Sequence, residues 1–192
     1  FMVEPEAVNV VNLIDDVIKE SAPKIEEKRL ELSKIYDEDI PLIQLDPQLM
    51  WIIVQNLLTN AVKYTPEEGS VTLRLTLQKA GDKVEGENIL DDSIVLEVAD
   101  TGYGIPSYQQ DQIFSKLFRA DNVREKETEG TGLGPDIIKA IVGTVGGKMW
   151  VVAEVKNGAS LFLALPLEGM QHHEGTKALI SRSDNSAFGL KR

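Results

Sequence analysis

The chain has 192 residues, of which 42% are hydrophobic and 27% charged, as expected for one globular domain with a hydrophobic core. Its net charge of −11 argues against binding to nucleic acid or to an anionic membrane surface, because both need a cationic protein surface. The chain has no cysteine and no run of about 18 apolar residues. This excludes disulfides, thiolate catalysis and cysteine-ligated zinc, and we expect a cytoplasmic domain without membrane insertion.

Two amphipathic helices are predicted in the first third of the chain. Val8–Lys28 carries apolar residues at helical spacing. The second helix is predicted to begin with Asp46 as its N-cap and Pro47 at its first position, and to end near Tyr64. Its apolar residues form one stripe, which predicts a buried face: Met50, Ile53, Val54, Leu57, Leu58 and Ala61.

Strands are predicted around these helices and near the end of the chain. The predicted strands are Leu30–Tyr36, Ile40–Leu45, Ser70–Leu77, Ile94–Ala99, Lys148–Val155 and Ala159–Leu167. An Asn157-Gly158 turn joins the last two. Further helices are predicted at 108–118 and 135–145. Helices between strands and local pairing of the last strands favour a two-layer α/β sandwich of a mixed sheet and about three helices.

Two segments lack a core pattern. Arg119–Gly130 is charged and almost without apolar residues, which predicts a mobile loop. From Gly169 onward no periodicity is sustained. We therefore expect one domain over residues 1–168 and a C-terminal tail over 169–192.

Asn56, Asn60 and Lys63 share one narrow face of the second predicted helix, beside its apolar stripe. An unpaired buried amide costs about 1–3 kcal/mol, and asparagine is a poor helix former. A ligand or ion that satisfies the amides would explain their presence, and amide oxygens suit Mg²⁺. The alternative is two exposed polar residues on a surface helix.

Two glycine-containing motifs follow. In D-T-G-Y-G-I-P (Asp100–Pro106), a carboxylate at a strand end could accept a hydrogen bond from an exocyclic amine, while glycines let a flat ring approach. The alternative is a turn that ends the strand. In E-G-T-G-L-G (Glu129–Gly134), glycines before a helix could expose N–H groups to phosphate.

Together these motifs resemble the N, G1, F and G2 boxes of the histidine-kinase branch of the GHKL ATPases. The resemblance covers about Val8 to Leu167, and Phe114 and Phe118 stand at the F box. It implies the family's α/β sandwich, with MgATP held between helices and a flexible lid. The predicted mobile loop lies where that lid is expected.

The resemblance also implies roles for individual residues. Asn60, assisted by Asn56, is expected to coordinate Mg²⁺, and Lys63 to contact a phosphate. Asp100 is expected to hold the adenine amine, and Phe118 to anchor the lid. The remaining expected nucleotide contacts are Tyr64, Thr101, Gly102, Gly104, Ile105, Arg119, Gly130, Thr131, Gly132, Leu133 and Gly134.

Asn56 favours a kinase over a hydrolase. Related gyrase, mismatch-repair and chaperone ATPases carry glutamate here to orient the attacking water, and asparagine is a far weaker base. Phosphoryl transfer needs mainly positioning and charge neutralisation. We therefore predict that ATP hydrolysis is slow and that the catalytic residues are Asn56, Asn60 and Lys63.

A phosphoacceptor is expected on a separate domain. The only histidines, His172 and His173, lie in the predicted tail outside an H-[DE]-x-x-x-P context. The expected partners are therefore a histidine-bearing dimerisation domain and a downstream response regulator, with this domain itself monomeric. The alternative is a non-catalytic nucleotide sensor or interaction module, because Pro135 and Asp136 depart from the family pattern.

Overall fold

The computed structural model describes residues 3–110, 139–140, 142–143, 145–153 and 155–170. The helices are α1 (Val10–Glu27), α2 (Pro47–Tyr64) and α3 (Ser107–Gln110), and residues 139–140 and 142–143 are also helical. The strands are β1 (Glu6–Val8), β2 (Glu31–Tyr36), β3 (Ile43–Leu45), β4 (Ser70–Gln78), β5 (Lys83–Val84), β6 (Glu87–Asn88), β7 (Ser93–Asp100), β8 (Lys148–Ala153) and β9 (Ala159–Pro166).

Five strands form a mixed sheet in the order β2-β4-β7-β9-β8. Strands β2 and β4 are parallel, with α2 in the connection between them, and the other neighbours are antiparallel. Strands β7 and β9 pair over their full length, from Ser93 opposite Pro166 to Asp100 opposite Ala159. The carboxyl end of β7 therefore lies beside the start of β9.

The main core lies between the sheet and the pair of helices α1 and α2. Alternate residues of each strand face it, as the period of two in a β-strand requires. The fully buried contributors from α2 and the central strands include Ile53, Leu57, Leu73 and Leu96. A smaller cluster on the other face stacks Trp150 on Phe162, with ring centroids 5.0 Å apart. The predicted two-layer α/β sandwich is confirmed.

Helix α2 begins as predicted. The Asp46 side chain accepts a hydrogen bond from the Leu49 N–H (3.0 Å), and Pro47 follows at the first helical position. The other Asp46 oxygen accepts from the Glu4 N–H (2.9 Å). Because β1 also pairs with β3, the start of α2 is joined to the N-terminal strand.

The packed domain includes two residues of the predicted tail. Met170 is buried in the main core, and its N–H donates to the Gln44 carbonyl (2.7 Å). Gly169 packs against the same residue so closely that a Cβ there would lie 2.6 Å from the Gln44 oxygen. Residues 171–192 and the predicted lid, 119–130, lie outside the described residues. No helix in the described ranges is long and apolar enough to cross a membrane.

Candidate functional site

The three polar residues predicted on one face of α2 differ in burial. Asn60 is 9% exposed, Asn56 is half-buried and Lys63 is exposed. Along the helix these side chains are half-buried, buried and exposed in turn. The last two place an amide at the edge of the core and an ammonium where a charged ligand could reach it.

The amides of Asn56 and Asn60 have different surroundings. Asn56 Nδ2 donates to the Ile52 carbonyl one turn earlier (2.7 Å). Among the described residues no hydrogen bond to the Asn60 amide is found, although the residue is buried. The only buried side-chain polar atom without a partner in the ranges that the structure describes is Trp150 Nε1, so the Asn60 amide keeps contact with solvent. It is therefore open to a ligand without first breaking a hydrogen bond within the described part of the chain.

These amides suit a hard cation. In the described ranges, no group of three or more His, Asp or Glu side chains could hold a metal. A cation bound beside α2 would therefore have to combine amide oxygens with oxygens of its ligand and water, a set that fits Mg²⁺. The Asn60 amide fits such a cation because it is open to solvent and makes no hydrogen bond within the described part of the chain.

The end of α2 presents Lys63 and Tyr64 at the surface. The Lys63 ammonium lies 5.5 Å from the centre of the Tyr64 ring, at cation–π distance, and Tyr64 is 45% exposed. Thr65 ends the helix, with its hydroxyl donating to the Ala61 carbonyl (2.6 Å). The cation and the ring are thus adjacent at a solvent-accessible edge.

Asp100 is held at the end of β7 by one of its two carboxylate oxygens. Its Oδ1 accepts from the Gly102 N–H (2.8 Å) and the Ala159 N–H (3.3 Å). No bond to Oδ2 is found in the described part of the chain. Burial raises the pKa of the Asp100 carboxyl, and the two backbone N–H groups partly offset this. The carboxylate is therefore fixed by one oxygen, while the other remains able to accept from an amine.

Gly102 brings the glycine turn against the end of α2. A Cβ at position 102 would lie 2.4 Å from the Tyr64 carbonyl oxygen and 2.8 Å from Asp100 Oδ1. Both distances are shorter than real Cβ contacts. The structure thus brings Asp100 and the end of α2 together, and only glycine fits between them.

Neighbouring residues hold the rest of this turn. Thr101 Oγ1 accepts from the Ser70 N–H (3.0 Å), which joins the turn to the start of β4. Gly104 has φ +72°, in the left-handed region that favours glycine. Ile105 is partly buried against the main core. Thr101, Gly104 and Ile105 therefore support the loop that leaves Asp100.

The turn between β8 and β9 also belongs to this site. Gly158 has φ +80°, and a Cβ there would lie 1.9 Å from the Asp100 carbonyl oxygen. The Lys156 N–H donates to the Tyr103 carbonyl (2.8 Å). In the sequence, Asn157-Gly158 indicates only a hairpin turn, because nothing in the neighbouring residues shows that this turn packs against Asp100.

The remaining predicted site residues lie outside the described residues. They are Phe114, Phe118, Arg119, Gly130, Thr131, Gly132, Leu133 and Gly134.

A protein-family model matches residues 45–169 of this chain. It describes the histidine kinase-, DNA gyrase B- and HSP90-like ATPases. The matched range begins just before α2 and ends after β9, so it contains both parts of the described site.

Curated relatives include adaptive-response sensory kinases. The adaptive-response sensory kinase SasA of Gloeothece citriformis is 33% identical over 152 residues, which cover 79% of this chain and 35% of the relative. SasA of a Synechococcus species is 34% identical over 158 residues, covering 82% and 38%. The chain thus spans little more than a third of the length of these relatives.

Solved histidine-kinase structures share the fold. Full-length ShkA in complex with AMPPNP superposes with a TM-score of 0.67 at 25% identity, covering 90% of this chain and 33% of ShkA. The catalytic domain of the histidine kinase ThkA gives a TM-score of 0.62 at 25% identity, covering 85% of this chain and 96% of ThkA. The described fold therefore corresponds to nearly all of an excised kinase catalytic domain.

Proposed function

The chain belongs to the histidine kinase-, DNA gyrase B- and HSP90-like ATPase family, and we propose that it binds MgATP and donates the γ-phosphoryl group to a histidine on a separate dimerisation domain. A response regulator would then receive the phosphoryl group from that histidine. The likeness to sensory kinases and to a kinase that was solved with AMPPNP supports this proposal.

The contact between Asp100 and the end of α2 carries the proposal. Asp100 Oδ1 is already engaged by two backbone N–H groups. Its Oδ2 can therefore accept a hydrogen bond from the exocyclic amine of adenine. Gly102 packs directly against the Tyr64 carbonyl, which holds Asp100 close to the end of α2. Adenine bound there would direct its phosphates along α2 toward Lys63.

Asn60, assisted by Asn56, would hold Mg²⁺ through amide oxygens. The Asn60 amide makes no hydrogen bond in the described part of the chain and is open to solvent, so coordination would replace water rather than a protein contact. When bound, Mg²⁺ would neutralise charge on the phosphates as it develops. Lys63, exposed at the end of the helix, would contact a phosphate oxygen. Arg119 and the glycines of 130–134, which lie outside the described residues, complete the proposed set.

The proposal assigns transfer rather than hydrolysis. An asparagine amide is not a base at neutral pH, and the Asn56 amide already donates to Ile52. Water activation by this residue is therefore weak. In the proposed reaction an imidazole nitrogen of the acceptor histidine attacks the γ-phosphorus. The bond from that phosphorus to the bridging oxygen breaks, and ADP leaves.

The test combines this chain, Mg²⁺ and γ-labelled ATP with the cognate dimerisation domain, made separately. The expected result is an acid-labile label on that domain and only slow release of free phosphate. A dimerisation domain with the acceptor histidine replaced by glutamine is the matched control. ATP binding without transfer to the intact acceptor would favour a nucleotide-sensing module, and rapid unassisted hydrolysis would contradict the kinase assignment.

A further inference from the structure

Lys28 joins the end of α1 to the end of α2. Its Nζ donates to the Val62 carbonyl (2.6 Å) and the Lys63 carbonyl (3.3 Å). Its own carbonyl accepts from the Glu68 N–H (3.0 Å) in the turn after α2. One half-buried residue therefore contacts both the last turn of α2 and the turn that follows it.

The carbonyls of Val62 and Lys63 lie at the end of α2, where the helix itself supplies no N–H donor for them. The Val62 carbonyl would ordinarily accept from the N–H four residues later, but that residue is Pro66, which has none. The last carbonyls of a helix also form the negative end of its dipole, where a cation is stabilising. The Lys28 ammonium supplies both a donor and a positive charge at this end.

The carbonyls that Lys28 binds lie in the last turn of α2, which carries part of the proposed nucleotide site. Lys63 carries the ammonium expected to contact phosphate. The next carbonyl, that of Tyr64, lies against Gly102 and hence beside Asp100. A shift of the last turn of α2 would displace the Lys63 side chain.

We propose that Lys28 is a positioning residue for nucleotide binding, which fixes the last turn of α2 so that Lys63 reaches the phosphate. This inference rests on the proposed function of the site. Lys28 itself need not touch the nucleotide, because it acts through the backbone of the residue that does.

Arg29 provides a matched comparison. It is the next residue, it is cationic, and its guanidinium lies 3.5 Å from Glu67 and 3.6 Å from Glu68. It therefore contacts the same turn, but these two ion pairs are exposed and weak, and neither involves a carbonyl of α2. Loss of Arg29 removes a charge from this region without removing the contact to Val62 and Lys63.

The test is a double-mutant cycle on MgATP affinity, measured by calorimetric titration. Lys28→Met is expected to weaken binding roughly three- to tenfold when Lys63 is present, and less than about twofold in a Lys63→Met background. Lys28→Arg is expected to restore most of the affinity, and Arg29→Met to leave it within about twofold. Equal losses from Lys28→Met in both backgrounds would overturn the inference.

Amide hydrogen exchange without nucleotide provides an independent readout. The amides of Tyr64 and Thr65 are expected to exchange faster in Lys28→Met than in Arg29→Met or in the unmodified protein. Equal exchange in all three would show that Lys28 does not fix this turn. A wild-type protein that binds no MgATP would instead refute the proposed function, and the exchange comparison would still decide whether Lys28 fixes the last turn.

Discussion

The Tyr64 carbonyl and Gly102 lie so close that a Cβ added to the glycine would be 2.4 Å from the carbonyl oxygen. One residue ends the helix that carries Asn56, Asn60 and Lys63, and the other follows Asp100 in the turn after β7. Two segments that are distant in the sequence therefore meet through a contact that only glycine permits. The relative position of the amides and the carboxylate depends on this contact.

Gly102→Ala is expected to weaken both folding and nucleotide binding. The added methyl group must displace backbone atoms, and such overpacking costs about 1–3 kcal/mol. Urea unfolding and MgATP titration would measure the two effects. Gly143→Ala is the control, because no described residue lies within 4 Å of a Cβ at that helical position, and alanine there should be neutral or stabilising. Equal stability of the two variants would show that the close contact is not important.

Gly158→Ala is expected to be more harmful than a substitution that only strains the backbone. At Gly158 a Cβ would meet the Asp100 carbonyl oxygen at 1.9 Å, and φ is +80°. At Gly81 φ is +95°, but none of the residues that the structure describes lies within 4 Å of an added Cβ. Gly81→Ala therefore measures the conformational strain alone. We expect Gly158→Ala to lower the unfolding free energy by at least about 1 kcal/mol more, and a smaller difference would contradict the close packing of this turn.

Asp100→Asn is expected to reduce ATP affinity about 10- to 100-fold. The substitution keeps an oxygen able to accept from Gly102 and Ala159, but it removes the charged acceptor at Oδ2. A hydrogen bond to a charged group is worth about 1.5–3 kcal/mol. Titration with ATP and with a purine nucleotide that lacks the amine would distinguish loss of the hydrogen bond to the amine from a general loss of nucleotide binding. The variant should lose most of its preference for ATP over that analogue, and an unchanged preference would exclude Asp100 as the amine acceptor.

The Asp100 carboxyl should make the stability of the wild-type protein rise, relative to that of Asp100→Asn, as the pH falls. Burial raises the pKa of Asp100 in the folded protein, so its ionised form is disfavoured there and folding is favoured by its protonation. The wild-type protein should therefore gain stability relative to Asp100→Asn as the pH falls from about 7 toward 4. Urea unfolding of both proteins across this range would measure the difference. A relative loss of wild-type stability in acid would mean that the pKa is lowered instead.

Asn60→Ala is expected to stabilise the free protein while weakening MgATP binding. Alanine is the better helix former by roughly half a kcal/mol, and the substitution breaks no side-chain hydrogen bond within the described part of the chain, where the Asn60 amide is open to solvent. Thermal unfolding would measure both effects: without MgATP the variant should have a higher Tm than the wild type, and added MgATP should raise its Tm by less. Asn56→Ala is the comparison, because it breaks the bond to Ile52 and should not stabilise the free protein. Destabilisation by Asn60→Ala would show that its amide is satisfied within the protein.

The elements that depend on local sequence were predictable. Asp46 and Pro47 mark the start of α2 because an N-cap and a first-turn proline act within a few residues of the chain. Alternating apolar residues predict β4 and β7 for a similar reason. The β8–β9 hairpin was indicated by its Asn157-Gly158 turn.

The contacts that join distant segments were not predictable in the same way. The parallel pairing of β2 with β4 cannot be read from either strand alone. Lys28 reads as the end of an amphipathic helix, and its contact with Val62 depends on how α1 packs on α2. Likewise, the sequence indicates only a turn at Gly158, and its packing against the Asp100 carbonyl depends on the tertiary structure. The motifs indicated Asp100 and Gly102, but their contact with Tyr64 required the tertiary structure.

The pairing of β7 directly with β9 has a consequence for the entropy of ligand binding. Gln110 donates from its side chain to the carbonyls of Ile105 (3.1 Å) and Ala153 (2.9 Å), so the turn after Asp100 is joined to the end of β8. Asp100 itself is placed by its pairing with Ala159. The carboxylate is therefore already held in place by described residues before a ligand arrives. A ligand that binds there need not order this part of the protein, and binding avoids that entropic cost.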